Sequence, residues 1–302
     1  MPAGALADLA AGSPDRTMNL DSGVLLLVLL AALMHASWNA LVKSGGDRLV
    51  MTTVIMVIPC LPSATALLFL PALQAAAWPF LILSMATHLA YFVGLLGAYR
   101  HGDLSQVYPI SRGSAPALVG IGAWVLAGEA LSTIEVLGVL IVSAGIMSLA
   151  WRRRGPVGTG EMKAIGFALL TALTIAVYLL ADGLGVRRAG NALTYICWLM
   201  VLDALPLLAF TLWRRRGRIR AAFAPSLQLG VFGGVIAAIS YGITIWAMGV
   251  APMAHVVAVR ETSVIFGAAI GAALLKEPLG RFRIAAAAVV ASGAVLLNLG
   301  GG

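Results

Sequence analysis

Residues 111–131 read SRGSAPALVGIGAWVLAGEAL, and residues 259–279, which lie 148 positions later, read VRETSVIFGAAIGAALLKEPL. The arginine that stands second in the first stretch, Arg112, recurs as Arg260 in the second stretch without a gap. An apolar stretch that returns at a fixed offset indicates that one structural unit occurs twice in the chain. In a membrane protein, two such units favour a transporter whose binding site lies between them.

The composition predicts an integral membrane protein. Hydrophobic residues make up 61% of the 302 residues and charged residues only 11%, with a mean hydropathy of +0.97. A soluble domain of this length needs more surface charge, and no stretch alternates as a membrane strand would. Only two cysteines occur, both in apolar segments, so a disulfide framework and a metal site are not expected. We also expect no cofactor.

Apolar segments of about 20 residues, the length that crosses a hydrocarbon core, are separated by clusters of polar, proline or glycine residues. They lie at 21–43, 50–70, 77–99, 104–127, 132–151, 162–184, 191–213, 226–249, 252–275 and 279–299. Five segments per unit is an odd number, so the second unit enters the membrane from the opposite side. The predicted fold is therefore all-α, with ten transmembrane helices in two inverted five-helix repeats around a central cavity.

This division sets the domain boundaries. We expect residues 1–20 to form a disordered extension, because they lack the basic start and apolar core of a signal peptide. Residues 21–151 form the first repeat and 162–299 the second. Residues 152–161, which are polar and rich in glycine, form the predicted linker.

The basic residues predict the orientation. Fifteen lysines and arginines fall on one side of the predicted membrane and three on the other, although the net charge is +8 overall. The positive-inside rule places the side with the excess in the cytoplasm of a bacterial-type inner membrane and both termini in the periplasm. The confinement of basic residues to these loops explains the net charge without a nucleic-acid partner.

The chain resembles the drug/metabolite transporter superfamily, and specifically its EamA-type permeases, among which the YddG-like amino-acid exporters look most similar. The resemblance covers residues 21–299 and rests on short motifs at equivalent places in both halves: Trp38-Asn39, Tyr108-Pro109-Ile110-Ser111-Arg112, Pro116, Gly128-Glu129-Ala130-Leu131, Arg260 and Lys276-Glu277-Pro278-Leu279. It implies a basket of ten helices and export of amino acids or other small metabolites. Many members are described with cytoplasmic termini, whereas the loop charges here favour the reverse.

Two arginines are the leading candidates for substrate contact. Arg112 and Arg260 each lie about eight residues into an apolar segment, roughly 12 Å deep at 1.5 Å per residue. A charge near the centre of a bilayer costs several kcal/mol, which favours a functional role, and a guanidinium suits a substrate carboxylate. The alternative is that each arginine pairs internally, for instance with Glu261 or Asp182.

Polar and aromatic residues on the same helix faces complete the predicted substrate site. They are His35, Trp38, Asn39, His88, Tyr91, Tyr108, Tyr178, Trp198 and Tyr241, together with the two arginines. Such faces line a cavity or join helices, and aromatic rings also bind quaternary ammonium groups. Asp182 and Glu261 are the candidates for coupling transport to protons, although facilitated export fits the sequence equally well.

Glu129 and Glu277 repeat as well, but each precedes a new apolar segment, where a carboxylate stabilises a helix N-terminus, so we interpret both as structural. The predicted function is an inner-membrane transporter of small metabolites, an amino-acid exporter that works by alternating access around a midplane cavity. The alternatives are a carrier of choline-like, other cationic or phosphonate-like solutes, and an intramembrane enzyme. The enzyme is disfavoured because no hydrolase or zinc-protease motif occurs. A monomer suffices, and a dimer is compatible with the sequence.

Overall fold

The computed structural model describes residues 21–44, 47–101, 104–150, 159–217, 219–275 and 280–300. These residues are helical throughout, apart from turns and short connections. The predicted extension, most of the predicted linker and the Lys276–Leu279 motif lie outside them. Helix α7 begins at Thr159, so the last three residues of the predicted linker are helical.

Thirteen α-helices occupy the described part of the chain. They are α1 (Ser22–Ser44), α2 (Arg48–Val57), α3 (Cys60–Leu67), α4 (Trp78–His101), α5 (Leu104–Ala127), α6 (Thr133–Ser148), α7 (Thr159–Arg187), α8 (Ala192–Arg214), α9 (Ile219–Phe223), α10 (Leu227–Val250), α11 (Met253–Arg260), α12 (Ser263–Leu275) and α13 (Arg281–Gly300). Short 3₁₀ turns at Ala75–Ala77 and Ala224–Ser226 precede α4 and α10.

Each of the ten predicted apolar segments contains helix among the described residues. Among the described residues, eight helices or helix pairs are long and apolar enough to cross a membrane, and two shorter apolar stretches of helix lie at Ala75–Tyr91 and in α6. The second segment is split into α2 and α3 near Pro59, and the ninth is split into α11 and α12 at Glu261–Thr262. Large apolar side chains such as Leu26, Leu68 and Trp124 are exposed on the outside of the bundle, as a lipid-facing surface requires.

The helices of the two halves interlock. Helix α4 packs along α7, and α10 packs along α1. Helix α5 packs against α7, and α12 against α1. The fifth segments of both halves, α6 and α13, lie against each other, and α8 packs against α2 and α3.

The main apolar core lies toward one end of the bundle. We call this the packed end and define it by Leu73, Ala189, Ala251 and Met253, all of which are buried. Every residue from 251 to 263 is buried, so the start of the ninth segment is enclosed. Arg215, which follows α8, pairs with Asp47 at the start of α2, at the opposite end of the bundle.

Candidate functional site

Four polar side chains meet inside the bundle. Arg112 Nη1 donates to Glu261 Oε1 at 3.1 Å, and Arg112 Nη2 lies 3.0 Å from His35 Nε2. Arg260 Nη2 lies 3.1 Å from His35 Nδ1, and Arg260 Nη1 lies 3.5 Å from Glu261 Oε1. All four residues are buried, with at most 8% of their surface exposed. We call this group the arginine cluster.

The break between α11 and α12 places two members of the cluster. The N–H of Thr262 donates to Val259 O at 3.1 Å and that of Val264 to Glu261 O at 3.1 Å, so a tight turn replaces the regular helix. Arg260 therefore stands at the C-terminus of one short helix and Glu261 just before the N-terminus of the next. Cations and anions are stabilised at these respective helix ends.

Close packing of α5 positions Arg112. Ser111 Oγ lies 3.0 Å from Ala168 O of α7 and donates to that helix or to Val107 O of its own. On the other side, a Cβ at Gly113 would lie 2.9 Å from Ser143 O of α6. Helix α5 is thus held between two neighbours, and the guanidinium of Arg112 projects toward α1 and α11.

The arginine cluster has more donors than acceptors. Both ring nitrogens of His35 face guanidinium groups, yet a neutral imidazole has a single lone pair to accept a hydrogen bond. Nε and Nη1 of Arg260 are buried without a hydrogen-bond partner. Two guanidinium groups and one carboxylate with a neutral imidazole leave the cluster with one uncompensated positive charge.

A second buried group surrounds Asp182, which is fully inaccessible. Its Oδ1 accepts a hydrogen bond from Tyr195 Oη at 3.1 Å, and its Oδ2 accepts one from Tyr241 Oη at 2.7 Å. The ring of Tyr241 also faces Arg260, with Cζ 5.9 Å from the ring centroid. Tyr241 therefore joins the Asp182 group to the arginine cluster.

Aromatic side chains extend the site beyond Tyr241. The imidazole of His88 stacks on the ring of Tyr178 at 4.0 Å, and Tyr91 meets the same ring edge-on at 6.5 Å. His88 Nδ1 also lies 3.7 Å from Asp203 Oδ1. The ring of Tyr108 lies 5.8 Å from Cζ of Arg112. His88, Tyr91, Tyr108 and Tyr241 are only partly buried, so this side of the site is the more open one.

The structure brings most of the predicted site residues together and directs two elsewhere. Trp38 packs edge-on against His35 at 5.2 Å, so it borders the cluster. The amide of Asn39 donates to His35 O within its own helix at 2.7 Å. Trp198 packs against Trp78 at 5.1 Å, beside the main core. Internal pairing is present between Arg112 and Glu261 at 3.1 Å and, more loosely, between Arg260 and Glu261 at 3.5 Å, whereas Asp182 bonds to tyrosines.

An apolar cleft of about 320 Å³ opens on the side of the bundle, between α1, α11, α12 and α13. Leu25, Phe266 and Val295 line it, and Thr262 and Asn298 are its polar members. The cleft adjoins the arginine cluster without including it, so it does not supply the polar site. Among the described residues, no three or more histidine, cysteine, aspartate or glutamate side chains are arranged to hold a metal ion.

Comparison with known proteins identifies the second half of the chain. Residues 162–299 match the EamA-like transporter family. This half of the chain is therefore similar to an EamA-like transporter domain. None of the curated proteins matches the chain. A solved crystal structure of a protein covers 92% of this chain and 97% of its own with a TM-score of 0.71. Their sequence identity is 16%, so the likeness shows a shared fold.

A network at the packed end was not predicted from the sequence. Glu129 pairs with Arg187, and its Oε2 accepts the N–H of Met253 at 2.8 Å. Arg187 also donates to Met248 O and Ala251 O, both at 2.9 Å. Glu129 does stabilise a helix N-terminus as expected, but the helix is α11 of the other half. The repetition of Glu129 in the second half was the sequence signal for this position, but it does not predict Arg187 or Met253 as the partner.

A buried histidine beside this network was also missed. His255 Nε2 lies 3.2 Å from Glu135 Oε1. Glu135 closes a capping box with Ser132 at the start of α6. The spacing Ser132-x-x-Glu135 is a recognisable sequence signal for that cap, whereas the approach of His255 follows only from the packing of α11 on α6.

Replacing Tyr241 by phenylalanine is expected to lower stability by about 2 kcal/mol, because it leaves Oδ2 of the fully buried Asp182 without its shorter hydrogen bond. The ring under Arg260 is retained, so packing changes little. The thermal unfolding midpoint of the purified protein in detergent measures the effect. Tyr195→Phe, which removes the longer bond, serves as the comparison and should cost less. An unchanged midpoint in the Tyr241 variant would show that Asp182 does not depend on this donor.

Proposed function

We propose that the protein is an inner-membrane exporter of amino acids that works by alternating access around the arginine cluster. The match of residues 162–299 to the EamA-like transporter family supports a transporter of small solutes rather than an enzyme. The observation that carries the substrate class is the arginine cluster, which holds one positive charge too many and buried guanidinium donors without acceptors. A substrate carboxylate supplies both the missing charge and the missing acceptors.

The location of the cluster supports a site between two inverted repeats. Arg112 and Arg260 occupy equivalent positions in the two sequence units, and both contact His35. When the two halves are exchanged, the contact between α4 and α7 corresponds to the contact between α10 and α1. In the same way, the contact between α5 and α7 corresponds to the contact between α12 and α1. The α6–α13 contact maps onto itself. This is the pattern expected for ten spans related by a two-fold axis in the membrane plane.

The two ends of the bundle differ in a way that suits alternating access. The packed end closes over the site with the enclosed residues 251–263. The aromatic side chains on the other side, among them His88, Tyr108 and Tyr241, remain partly exposed. If the basic loops face the cytoplasm, the structure represents a state in which the site is reached from the cytoplasm, which is where an exporter takes up its substrate.

The region beyond Arg260 suits an amino group. His88, which stacks on Tyr178, lies beside the carboxylate of Asp203, and the edge of this region is formed by Tyr91 and Tyr241. A carboxylate on the arginine side and an ammonium group on the aromatic and acidic side together describe a zwitterion. An anion such as a phosphonate would contact the arginine side alone, and a choline-like cation would contact the aromatic and acidic side alone.

Flux measurements with the full chain in proteoliposomes test this function. Uptake of radiolabelled amino acids, choline and methylphosphonate would be followed with and without a pH gradient, against protein-free vesicles and vesicles with Gly267→Ala. A Cβ at Gly267 meets nothing within 4 Å, so this variant is an inert control. Saturable flux of amino acids that exceeds the flux of choline and methylphosphonate is expected. Saturable flux of choline alone, or of methylphosphonate alone, would overturn amino-acid export.

A further inference from the structure

The two equivalent arginines have different local partners. Arg112 has a hydrogen bond to Glu261 at 3.1 Å, a contact with His35, and Tyr108 beside its guanidinium. Arg260 has His35 at Nη2 and the ring of Tyr241, while its Nε and Nη1 have no hydrogen-bond partner. Nη1 of Arg260 lies 3.5 Å from Glu261 Oε1, and this oxygen already accepts the hydrogen bond from Arg112.

The charges of the cluster also distinguish Arg112 from Arg260. Arg112 and Glu261 neutralise each other as a buried pair, with side-chain exposures of 10% and 1%. Arg260 is then the guanidinium whose charge has no carboxylate of its own within the cluster. Adding one carboxylate beside Arg260 neutralises the cluster without protonating or displacing Glu261.

We propose that Arg260 binds the acidic group of the substrate and that Arg112 is a positioning residue, which Glu261 holds in place and which in turn orients His35. This division rests on the proposed function for the identity of the substrate, but the difference between the two arginines does not. The ligand class is a small anion, a carboxylate or a phosphonate, since an oxygen of either accepts a charge-assisted hydrogen bond from Nε or from Nη1 of Arg260.

Tyr241 connects this site to Asp182. The phenol ring lies under Arg260 while its hydroxyl donates to Asp182 Oδ2. The buried carboxylate therefore fixes the ring that supports Arg260, without approaching the guanidinium itself. Arg260 is held on one face by Tyr241 and at Nη2 by His35, and its Nε and Nη1 remain for a ligand.

Stability measurements test the division without any transported substrate. Arg112→Gln leaves Glu261 buried without its main partner, and its unfolding midpoint should fall by about 5 °C or more. Arg260→Gln removes the uncompensated charge, so its midpoint should stay within about 2 °C of the wild type. The double variant Arg112→Gln with Glu261→Gln should recover part of the loss. Equal losses in the two single variants would overturn the division.

Ligand-induced stabilisation tests the binding role directly. Acetate and methylphosphonate should each be added to the purified full chain, with chloride at the same ionic strength as the control. One or both should raise the unfolding midpoint of the wild type and of Arg112→Lys, but not that of Arg260→Gln. Stabilisation that persists in Arg260→Gln, or that is absent from the wild type, would overturn the assignment.

Transport of an amino acid and its amide separates this inference from the proposed function. The wild type and Arg112→Lys should both prefer the acid, whereas Arg260→Gln should lose about 100-fold in flux of the acid with little change for the amide. A preference for the acid that survives in Arg260→Gln but disappears in Arg112→Lys would assign the contact to Arg112. If the wild type carries no amino acid, the exporter is wrong, and the stabilisation by anions still decides the role of Arg260.

Discussion

Replacing Gly293 by leucine should destabilise the protein by about 3 kcal/mol or more, because there is no room for a side chain where α13 crosses α6. A Cβ at Gly293 would lie 2.8 Å from Val142 N and 2.9 Å from Gly138 O. The facing position is equally tight, since a Cβ at Gly138 would lie 3.0 Å from Gly293 O. These are backbone atoms, so relief requires the two helices to separate.

The effect should appear as a lower thermal unfolding midpoint of the purified protein in detergent, together with early aggregation in size-exclusion chromatography. Gly267→Ala is the matched control, because a Cβ there meets nothing within 4 Å. Alanine also has the higher helix propensity, by about 1 kcal/mol. A Gly293→Leu protein that unfolds at the wild-type midpoint would show that α6 and α13 do not pack this closely.

Hydropathy was sufficient to predict where most of the described helices lie. Apolar stretches of the length of a membrane core have few alternatives to the helix, because lipid offers no partners for backbone groups. The break after Arg260 was not predicted. Neither proline nor glycine lies at Glu261–Thr262, so no local signal marks it, and the turn is stabilised by contacts with α1 and α5. Proline does mark the earlier break, at Pro59.

The sequence predicted the members of the arginine cluster and a pairing with Glu261, but not which arginine Glu261 mainly contacts. The cost of burying a charge pointed to Arg112 and Arg260. The repeat predicts equivalent roles for the two arginines, whereas in the structure Glu261 forms its shorter contact with Arg112. That difference depends on the residue after each arginine, which is Gly113 in one unit and Glu261 in the other. The insertion of His35 between them follows only from how α1 crosses α5 and α11.

Asn39 and Trp198 show a further limit of reasoning from helix faces. Both lie on polar or aromatic faces, yet Asn39 bonds to the carbonyl one turn earlier in α1. Short polar side chains in helices often satisfy themselves in this way. Trp198 packs on Trp78 near the packed end instead. Helical spacing predicts which side chains share a face, but the neighbour of that face is set by tertiary packing.

Replacing Glu129 by alanine should both destabilise the protein and open its packed end. Glu129 pairs with Arg187 and accepts the N–H of Met253, so it ties the connection after α5 to α7 and to the start of α11. Its loss leaves a largely buried arginine without its carboxylate, at a cost of about 3 kcal/mol. Glu129→Gln retains an oxygen for the N–H of Met253 and removes the charge, so it should fall between alanine and the wild type.

The opening can be measured with a cysteine at Val257, which is fully buried in the enclosed segment, after the two native cysteines are replaced by alanine. A membrane-impermeant thiol reagent, applied from the side opposite the basic loops, should label this cysteine slowly in the parent protein and several-fold faster with Glu129→Ala. Faster labelling with a lower unfolding midpoint is expected if closure of the packed end depends on this ion pair. A lower midpoint with unchanged labelling would make Glu129 a structural residue that does not control access. In the alternating-access cycle that we propose, the contacts that close one end break when that end opens, and we expect the Glu129–Arg187 pair to be one of these contacts.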